Sequence, residues 1–92
     1  MSKSWTETQD SLTREIRTPD FLSAFRLVSD LVAPAEALGH HPDLAFGWGY
    51  VRIKLTTHDA GGITDLDRTL ANQFDSVIAS HLGKCHTDVT KP

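Results

Sequence analysis

Apolar and polar residues alternate in two stretches of the chain, at 5–18 and 44–57, which is the pattern of strands that bury one face. Turn-forming residues interrupt both stretches: Asp10-Ser11 lies in the first, and Gly47 and Gly49 lie in the second. Each stretch is therefore predicted to form a hairpin, with a tight turn or a bulge at the two glycines. The residues that share one face of their strand are Leu12, Arg14, Ile16 and Thr18 in the first stretch and Val51, Ile53 and Leu55 in the second.

Two further stretches carry apolar residues every three or four positions, the spacing of a helix with one buried face. The first helix is predicted to begin at Thr18-Pro19-Asp20 with a threonine cap and to stop at Gly39, with a kink at Pro34. The second is predicted to begin at Thr64 and to end at Leu82-Gly83. The predicted buried faces consist of Phe21, Leu22, Phe25, Val28, Leu31, Val32, Ala35 and Leu38 in the first helix and of Leu66, Leu70, Phe74, Val77, Ile78 and His81 in the second.

The order of these elements is β-β-α-β-β-α. It predicts an α+β fold: a two-layer sandwich in which two main helices pack on one face of a four-stranded antiparallel sheet. A chain of 92 residues holds a single domain, 1–92. We expect its core at about 3–83 and a flexible C-terminal tail at 84–92, because the tail is mostly polar and follows a glycine.

The charge, the lengths of the apolar runs and the cysteine count argue against several classes of function. The formal net charge is −3 with the two signs interleaved, which argues against direct nucleic-acid binding. No apolar run is long enough for a membrane helix, and residues 1–5 lack the apolar stretch of a secretory signal, so we expect a cytoplasmic protein. The single cysteine, Cys85, excludes an internal disulfide and any multi-cysteine metal site, and is interpreted as an incidental thiol. A domain this small gains burial by association with its own copies, so a homo-oligomer is expected.

Titratable residues concentrate at the ends of the predicted elements: Glu36, His40, His41, His58 and Asp67. Histidine exchanges protons near neutrality, and a neighbouring carboxylate fixes its tautomer. Two such histidines suit acid–base elimination of water. Taken singly, a histidine at a helix end is more often a cap or a solvated group, but the adjacent pair before Pro42 favours a site.

Other chemistries fit the sequence less well. Histidine and carboxylate ligands suit zinc or iron, but adjacent residues on an extended segment point in opposite directions and no HExxH spacing is present, so no metal is predicted. The chain also lacks a GxSxG elbow and a glycine-rich dinucleotide loop. Trp5, Trp48 and Tyr50 either pack in the fold or form the wall of a site for a flat aromatic ligand.

Seven of these positions form a spaced pattern, Glu36-x3-His40-His41-Pro42-x5-Trp48-x9-His58-x8-Asp67. This pattern resembles the signature of the pterin-4a-carbinolamine dehydratases, also called 4a-hydroxytetrahydrobiopterin dehydratases. Trp5 and the Phe21-x3-Phe25 helix start resemble the N-terminal half of that family. The departures are Trp48 where tyrosine is common, Asp59 where glutamate often follows the histidine, and Pro34 in a helix that is usually uninterrupted.

The resemblance implies a lyase that dehydrates 4a-hydroxytetrahydropterin to quinonoid dihydropterin and so recycles the pterin used by an aromatic amino acid hydroxylase. It implies His40 and His58 as the acid–base pair and His41 as a binding and positioning residue. Glu36 and Asp67 would orient the histidines. Trp5 would line the pocket against the pterin ring, and no cofactor would be needed because the pterin is the substrate.

The resemblance also implies association through a sheet edge into a homodimer and of two dimers, through helices, into a homotetramer. An exposed sheet edge needs covering, which agrees with this expectation. The alternative is a non-catalytic dimerisation or assembly partner on the same scaffold. Such a module has no need for three histidines and two carboxylates at these spacings.

Overall fold

The computed structural model describes the backbone of residues 5–57 and 61–90 and the side chains of residues 5–57 and 61–81. The element order confirms the predicted fold class. The elements are β1 (Thr6–Glu7), β2 (Leu12–Arg17), α1 (Phe21–Leu38), β3 (Asp43–Gly47), β4 (Tyr50–Leu55) and α2 (Asp65–Thr90).

The four strands form one antiparallel sheet in the order β1-β2-β4-β3. Alternation along β4 buries Val51, Ile53 and Leu55 and leaves Arg52 and Lys54 exposed, as the sequence predicts. Both helices therefore cover the same face of the sheet. The turn between β3 and β4 consists of Trp48 and Gly49, and Gly49 supplies its left-handed conformation with φ 87°.

Helix α1 begins later than predicted. Its cap is Asp20, whose carboxylate accepts a hydrogen bond from the backbone N–H of Ser23 at 2.8 Å. That hydrogen bond also lowers the pKa of Asp20. An aspartate caps a helix at least as well as a threonine, so Thr18 is displaced from the role. The helix runs through Pro34 as one element and ends at Gly39, as expected.

The buried face of α1 differs from the prediction. Phe21, Leu22, Phe25 and Val32 are 46–55% exposed, and we call these four residues the α1 apolar surface. Leu31 and Ala35 are buried as predicted, and Ala24 and Leu27, which the prediction did not include, are buried with them. The apolar arc of α1 is wider than the strip that the sheet covers, and the two alanines allow the helix to approach closely. Phe21 and Phe25 lie beside the half-buried Phe46 of β3. The ring centroid of Phe21 is 5.5 Å from that of Phe46, and the ring centroid of Phe25 is 6.3 Å from it.

Helix α2 buries Leu70, Phe74 and Ile78 as predicted. Leu66 does not belong to this face, since it is 43% exposed. The predicted end at Leu82-Gly83 is also wrong, because α2 continues to Thr90. A single helical glycine costs only about 1 kcal/mol, which does not stop a helix. The flexible tail at 84–92 stays a prediction. Within the described residues, no helix is both long and apolar enough to cross a membrane.

The two leucines of α2 that lie one turn apart provide a test of this core. Replacing the fully buried Leu70 by alanine removes core contacts and leaves a cavity, so we expect a loss of about 2–5 kcal/mol in the free energy of unfolding. Leu66→Ala serves as the matched control and should cost less than about 1 kcal/mol. Urea unfolding measures both, and equal losses would contradict this packing.

Candidate functional site

The end of α1 places the two adjacent histidines. Gly39 adopts a left-handed conformation, with φ 64°, and its N–H donates to the carbonyl of Glu36 at 3.1 Å. The N–H of His40 donates to the carbonyl of Ala35, also at 3.1 Å. These two bonds form a Schellman motif, which ends the helix and fixes the direction of the next residues. His40 and His41 are thereby held between α1 and β3 and turn toward different carboxylates.

His40 turns inward to Asp67. Its side chain is only 12% exposed, and its Nε2 lies 2.5 Å from Oδ1 of the fully buried Asp67. The other carboxylate oxygen, Oδ2, accepts hydrogen bonds from the Thr57 hydroxyl at 2.7 Å and from the Thr64 N–H at 2.9 Å. The bond from the Thr64 N–H is the reciprocal half of a capping box, with Asp67 at the third position of α2. Asp67 thus joins the end of α1, the end of β4 and the start of α2.

These contacts set the charge of Asp67. Burial by itself raises the pKa of this carboxyl, but the hydrogen bonds from Thr57, His40 and the Thr64 N–H outweigh burial and hold the pKa of Asp67 below its ordinary value. An ionised carboxylate only accepts hydrogen bonds. The Nε2 of His40 therefore carries a proton, and in the neutral ring Nδ1 is the nitrogen with the free lone pair.

His41 turns outward to Glu36. Its Nε2 lies 2.7 Å from Glu36 Oε2, and the two side chains are 61% and 66% exposed. An exposed pair of this kind adds little stability, but it orients the His41 ring at the surface. The two neighbouring histidines do not share a partner. Among the described residues, no group of three or more histidine, cysteine, aspartate or glutamate side chains is arranged to hold a metal ion.

His58 lies outside the described residues, as does Asp59. The segment that carries them is bounded by Thr57 and Gly62, whose backbones exchange two hydrogen bonds of 3.0 and 3.3 Å. Thr57, the residue directly before His58 in the chain, is also the residue that donates to Asp67. The entry to this segment is thus fixed against the same carboxylate that binds His40.

Trp5 lies in a different part of the fold. Its indole N–H donates to Asp75 Oδ1 at 2.7 Å, and Arg14 binds the same oxygen. A cleft of about 270 Å³ opens beside the indole between β1–β2 and α2, lined also by Arg68 and Asn72. Asp75 is eight residues beyond Asp67 on α2, about 12 Å along the helix axis. The hydrogen-bond partner of the indole is Asp75 and not one of the described histidines, and the role of Trp5 in pterin binding stays a prediction. Trp48, in the turn between β3 and β4, is exposed to solvent.

Thr57 and Thr64 are the residues of this cluster that sequence reasoning missed. Thr64 is identified in the sequence only as a helix cap, and Thr57 carries no motif of its own. The available signals were the capping box Thr64-x2-Asp67 and the position of Thr57 next to His58.

Comparison with known proteins identifies relatives. Residues 1–77 match the family model described as pterin 4 alpha carbinolamine dehydratase. Two similar curated proteins are provisionally named pterin-4-alpha-carbinolamine dehydratase. The one from Thermosynechococcus vestitus is 48% identical over 73 residues, covering 79% of this chain and 77% of its own. The one from Picosynechococcus sp. is 41% identical over 73 residues, covering 79% of each chain.

Two solved structures share the fold. A transcriptional coactivator/pterin dehydratase from Brucella melitensis superposes with a TM-score of 0.75 at 28% identity, covering 82% of each chain. A pterin dehydratase-like protein described as a RuBisCO assembly factor superposes with a TM-score of 0.68 at 24% identity, covering 83% of this chain and 90% of its own. The second likeness concerns the fold alone.

The low pKa of Asp67 predicts how acid affects stability. A carboxyl whose pKa is lower in the folded state stabilises the protein above its unfolded pKa, and this contribution disappears as the pH falls through the folded value. Asparagine offers one acceptor oxygen where Asp67 offers two, so Asp67→Asn should cost about 1–3 kcal/mol at about pH 7. The deficit relative to the unmodified protein should shrink below about pH 4.

Urea unfolding at several pH values measures this deficit. Asp65→Asn, an exposed change in the same helical turn, is the matched control and should show no comparable deficit. A deficit for Asp67→Asn that is the same at neutral and at acid pH would argue against an ionised, hydrogen-bonded Asp67.

Proposed function

The chain belongs to the pterin-4-alpha-carbinolamine dehydratase family, and on that premise we propose that it dehydrates 4a-hydroxytetrahydropterin to quinonoid dihydropterin. The observation that carries the proposal is the contact between His40 and the buried Asp67. It holds an imidazole in one tautomer at the edge of the fold, which is what acid–base catalysis near neutrality requires.

The reaction needs two proton movements and no redox step. One proton is delivered to the 4a-hydroxyl so that the C4a–O bond breaks with release of water, and one proton leaves the neighbouring ring nitrogen, N5. Two imidazoles on opposite sides of the substrate perform both movements. We assign them to His40 and His58, because Thr57, which directly precedes His58, binds the carboxylate that holds His40.

The remaining residues would bind and orient. His41 stands at the surface with Glu36 as its partner, so we assign it to substrate positioning. The proposal includes no metal and no cofactor, since the pterin is the substrate. Its physiological setting would be recycling of a pterin for an aromatic amino acid hydroxylase in the cytoplasm.

Stopped-flow dehydration of 4a-hydroxytetrahydropterin tests the assignment. His40→Ala and His58→Ala should each lower the rate about 100- to 10,000-fold, the range for loss of one acid–base group. The matched control is His81→Ala, because His81 pairs with Asp30 between the helices and lies outside the proposed site. Activity of the unmodified protein should survive chelator treatment, and the rate should follow a bell-shaped pH profile.

Turnover close to that of the unmodified protein in both site variants would refute the histidine mechanism. Activity lost on chelation would instead support a metal site. No acceleration by folded protein would favour the second candidate function, a non-catalytic assembly partner, for which the exposed α1 apolar surface is the specific supporting observation.

We also propose that copies of this chain associate. The α1 apolar surface lies beside β3, which is an edge strand of the sheet, so apolar side chains and unpaired backbone groups are exposed together. A second copy that pairs its own β3 would cover both. Such pairing would give a homodimer, or a homotetramer if two such dimers also associate through their helices.

Sedimentation of two glutamate variants tests the association. Phe25→Glu places a charge in the α1 apolar surface and should reduce the mass to that of the monomer, because an unpaired charge is costly in a buried interface. Leu66→Glu is the control: Leu66 is similarly exposed but lies at the start of α2, and this variant should keep the mass of the unmodified protein. The same mass for Phe25→Glu and for the unmodified protein would overturn the proposed interface.

A further inference from the structure

Two threonine hydroxyls lie behind the Asp67 carboxylate. The Thr57 and Thr64 hydroxyl oxygens are 2.8 Å apart. The Thr57 oxygen is 2.7 Å from Asp67 Oδ2, whereas the Thr64 oxygen is 3.4 Å from it. The side chains of Thr57, at the end of β4, and of Thr64 and Asp67, at the start of α2, thus meet at a partly buried point beside His40.

The count of protons fixes the direction of each bond. A hydroxyl has a single proton, and Thr57 donates its proton to the charged carboxylate, where the hydrogen bond is strongest. The Thr64 hydroxyl can donate to Thr57 at 2.8 Å or to Asp67 Oδ2 at 3.4 Å, and the shorter contact, in which Thr57 has only its lone pairs to offer, takes the proton. Donors therefore run from Thr64 to Thr57 to Asp67 Oδ2, while Oδ1 is left to face His40.

We infer that Thr57 is a positioning residue: its hydroxyl, backed by Thr64, orients the Asp67 carboxylate so that Oδ1 holds the proton on Nε2 of His40 and Nδ1 is the nitrogen that exchanges protons with the substrate. The last clause rests on the proposed function. The first part concerns the tautomer of His40 alone and stands without it.

Among the described residues, few other charged groups near His40 are placed to orient its ring. Within the part of the chain that the structure describes, the charged side chain bound to His40 is Asp67, and Glu36 is bound to His41 instead. Arg68, the next residue on α2, forms a two-bond ion pair with Glu7. Thr57 also bridges to Gly62 through its backbone, so one residue secures both the carboxylate and the entry to the segment that carries His58.

Thr57→Val and Thr57→Ser separate the hydroxyl from the rest of the side chain. Valine keeps the shape and removes the donor, whereas serine keeps the donor. Nitrogen-15 NMR of the full chain reads the tautomer of His40, and carbon-13 NMR of Asp67 follows its carboxyl. We expect a mixture of tautomers and a higher Asp67 pKa in Thr57→Val, and the behaviour of the unmodified protein in Thr57→Ser. Thr64→Val should change both readouts in the same direction but less, and it replaces Thr57→Val if that variant does not fold.

Dehydration kinetics complete the test. We expect Thr57→Val to lower kcat about 10- to 100-fold with little change in KM, and Thr57→Ser to recover most of it. A single Nε2-protonated tautomer and an unchanged Asp67 titration in Thr57→Val would overturn the inference. If the NMR changes occur but the unmodified protein does not dehydrate the substrate, the positioning role stands and the proposed function fails.

Discussion

The ionised carboxylate of Asp67 is the constraint on which the rest of the site depends. A buried charge is costly unless hydrogen bonds surround it, and here the donors come from His40 after α1, Thr57 after β4 and Thr64 before α2. Thr64 and Thr57 are only 3 and 10 residues from Asp67 in the chain, whereas His40 is 27 residues away, so the carboxylate has its full set of donors only when the end of α1 lies beside the start of α2. The hydrogen bonds that stabilise the buried carboxylate are therefore the same ones that fix the position and tautomer of His40. A change that removes one of these hydrogen bonds should therefore affect both the stability of the fold and the geometry of the site.

Much of the fold followed from local patterns. Alternation at Val51, Ile53 and Leu55 predicted a strand with one buried face, and Gly39 predicted the end of α1, because each signal reports an interaction between near neighbours in sequence. The pairing of histidines with carboxylates was also anticipated from residue types and spacing. The choice of partner was not: periodicity gives no information on whether His40 binds Asp67 or Glu36, since the answer depends on how the helix ends.

The errors share a physical cause. Phe21, Phe25 and Leu66 have the spacing of buried residues, yet the sheet is too narrow to cover them, and periodicity alone does not give the width of a covered strip. Asp67 shows the opposite case, a charged residue that is completely buried because His40, Thr57 and Thr64 all bind its carboxylate. Thr57 was missed because the role of its hydroxyl depends on the fold of the loop that places it 2.7 Å from the Asp67 carboxylate, and no local pattern reports that contact.

The hydrogen bond between Trp5 and Asp75 links positions 70 residues apart. Hairpins and single helices close over short segments, but this contact needs nearly the whole described chain. As the polypeptide leaves the ribosome, the indole has no acceptor until Asp75, the eleventh of the 26 residues of α2, has been made. The hydrogen bond of Trp5 thus forms only after β2, α1, β3 and β4 have been made. For this contact, the order of synthesis and the order of folding are therefore not the same.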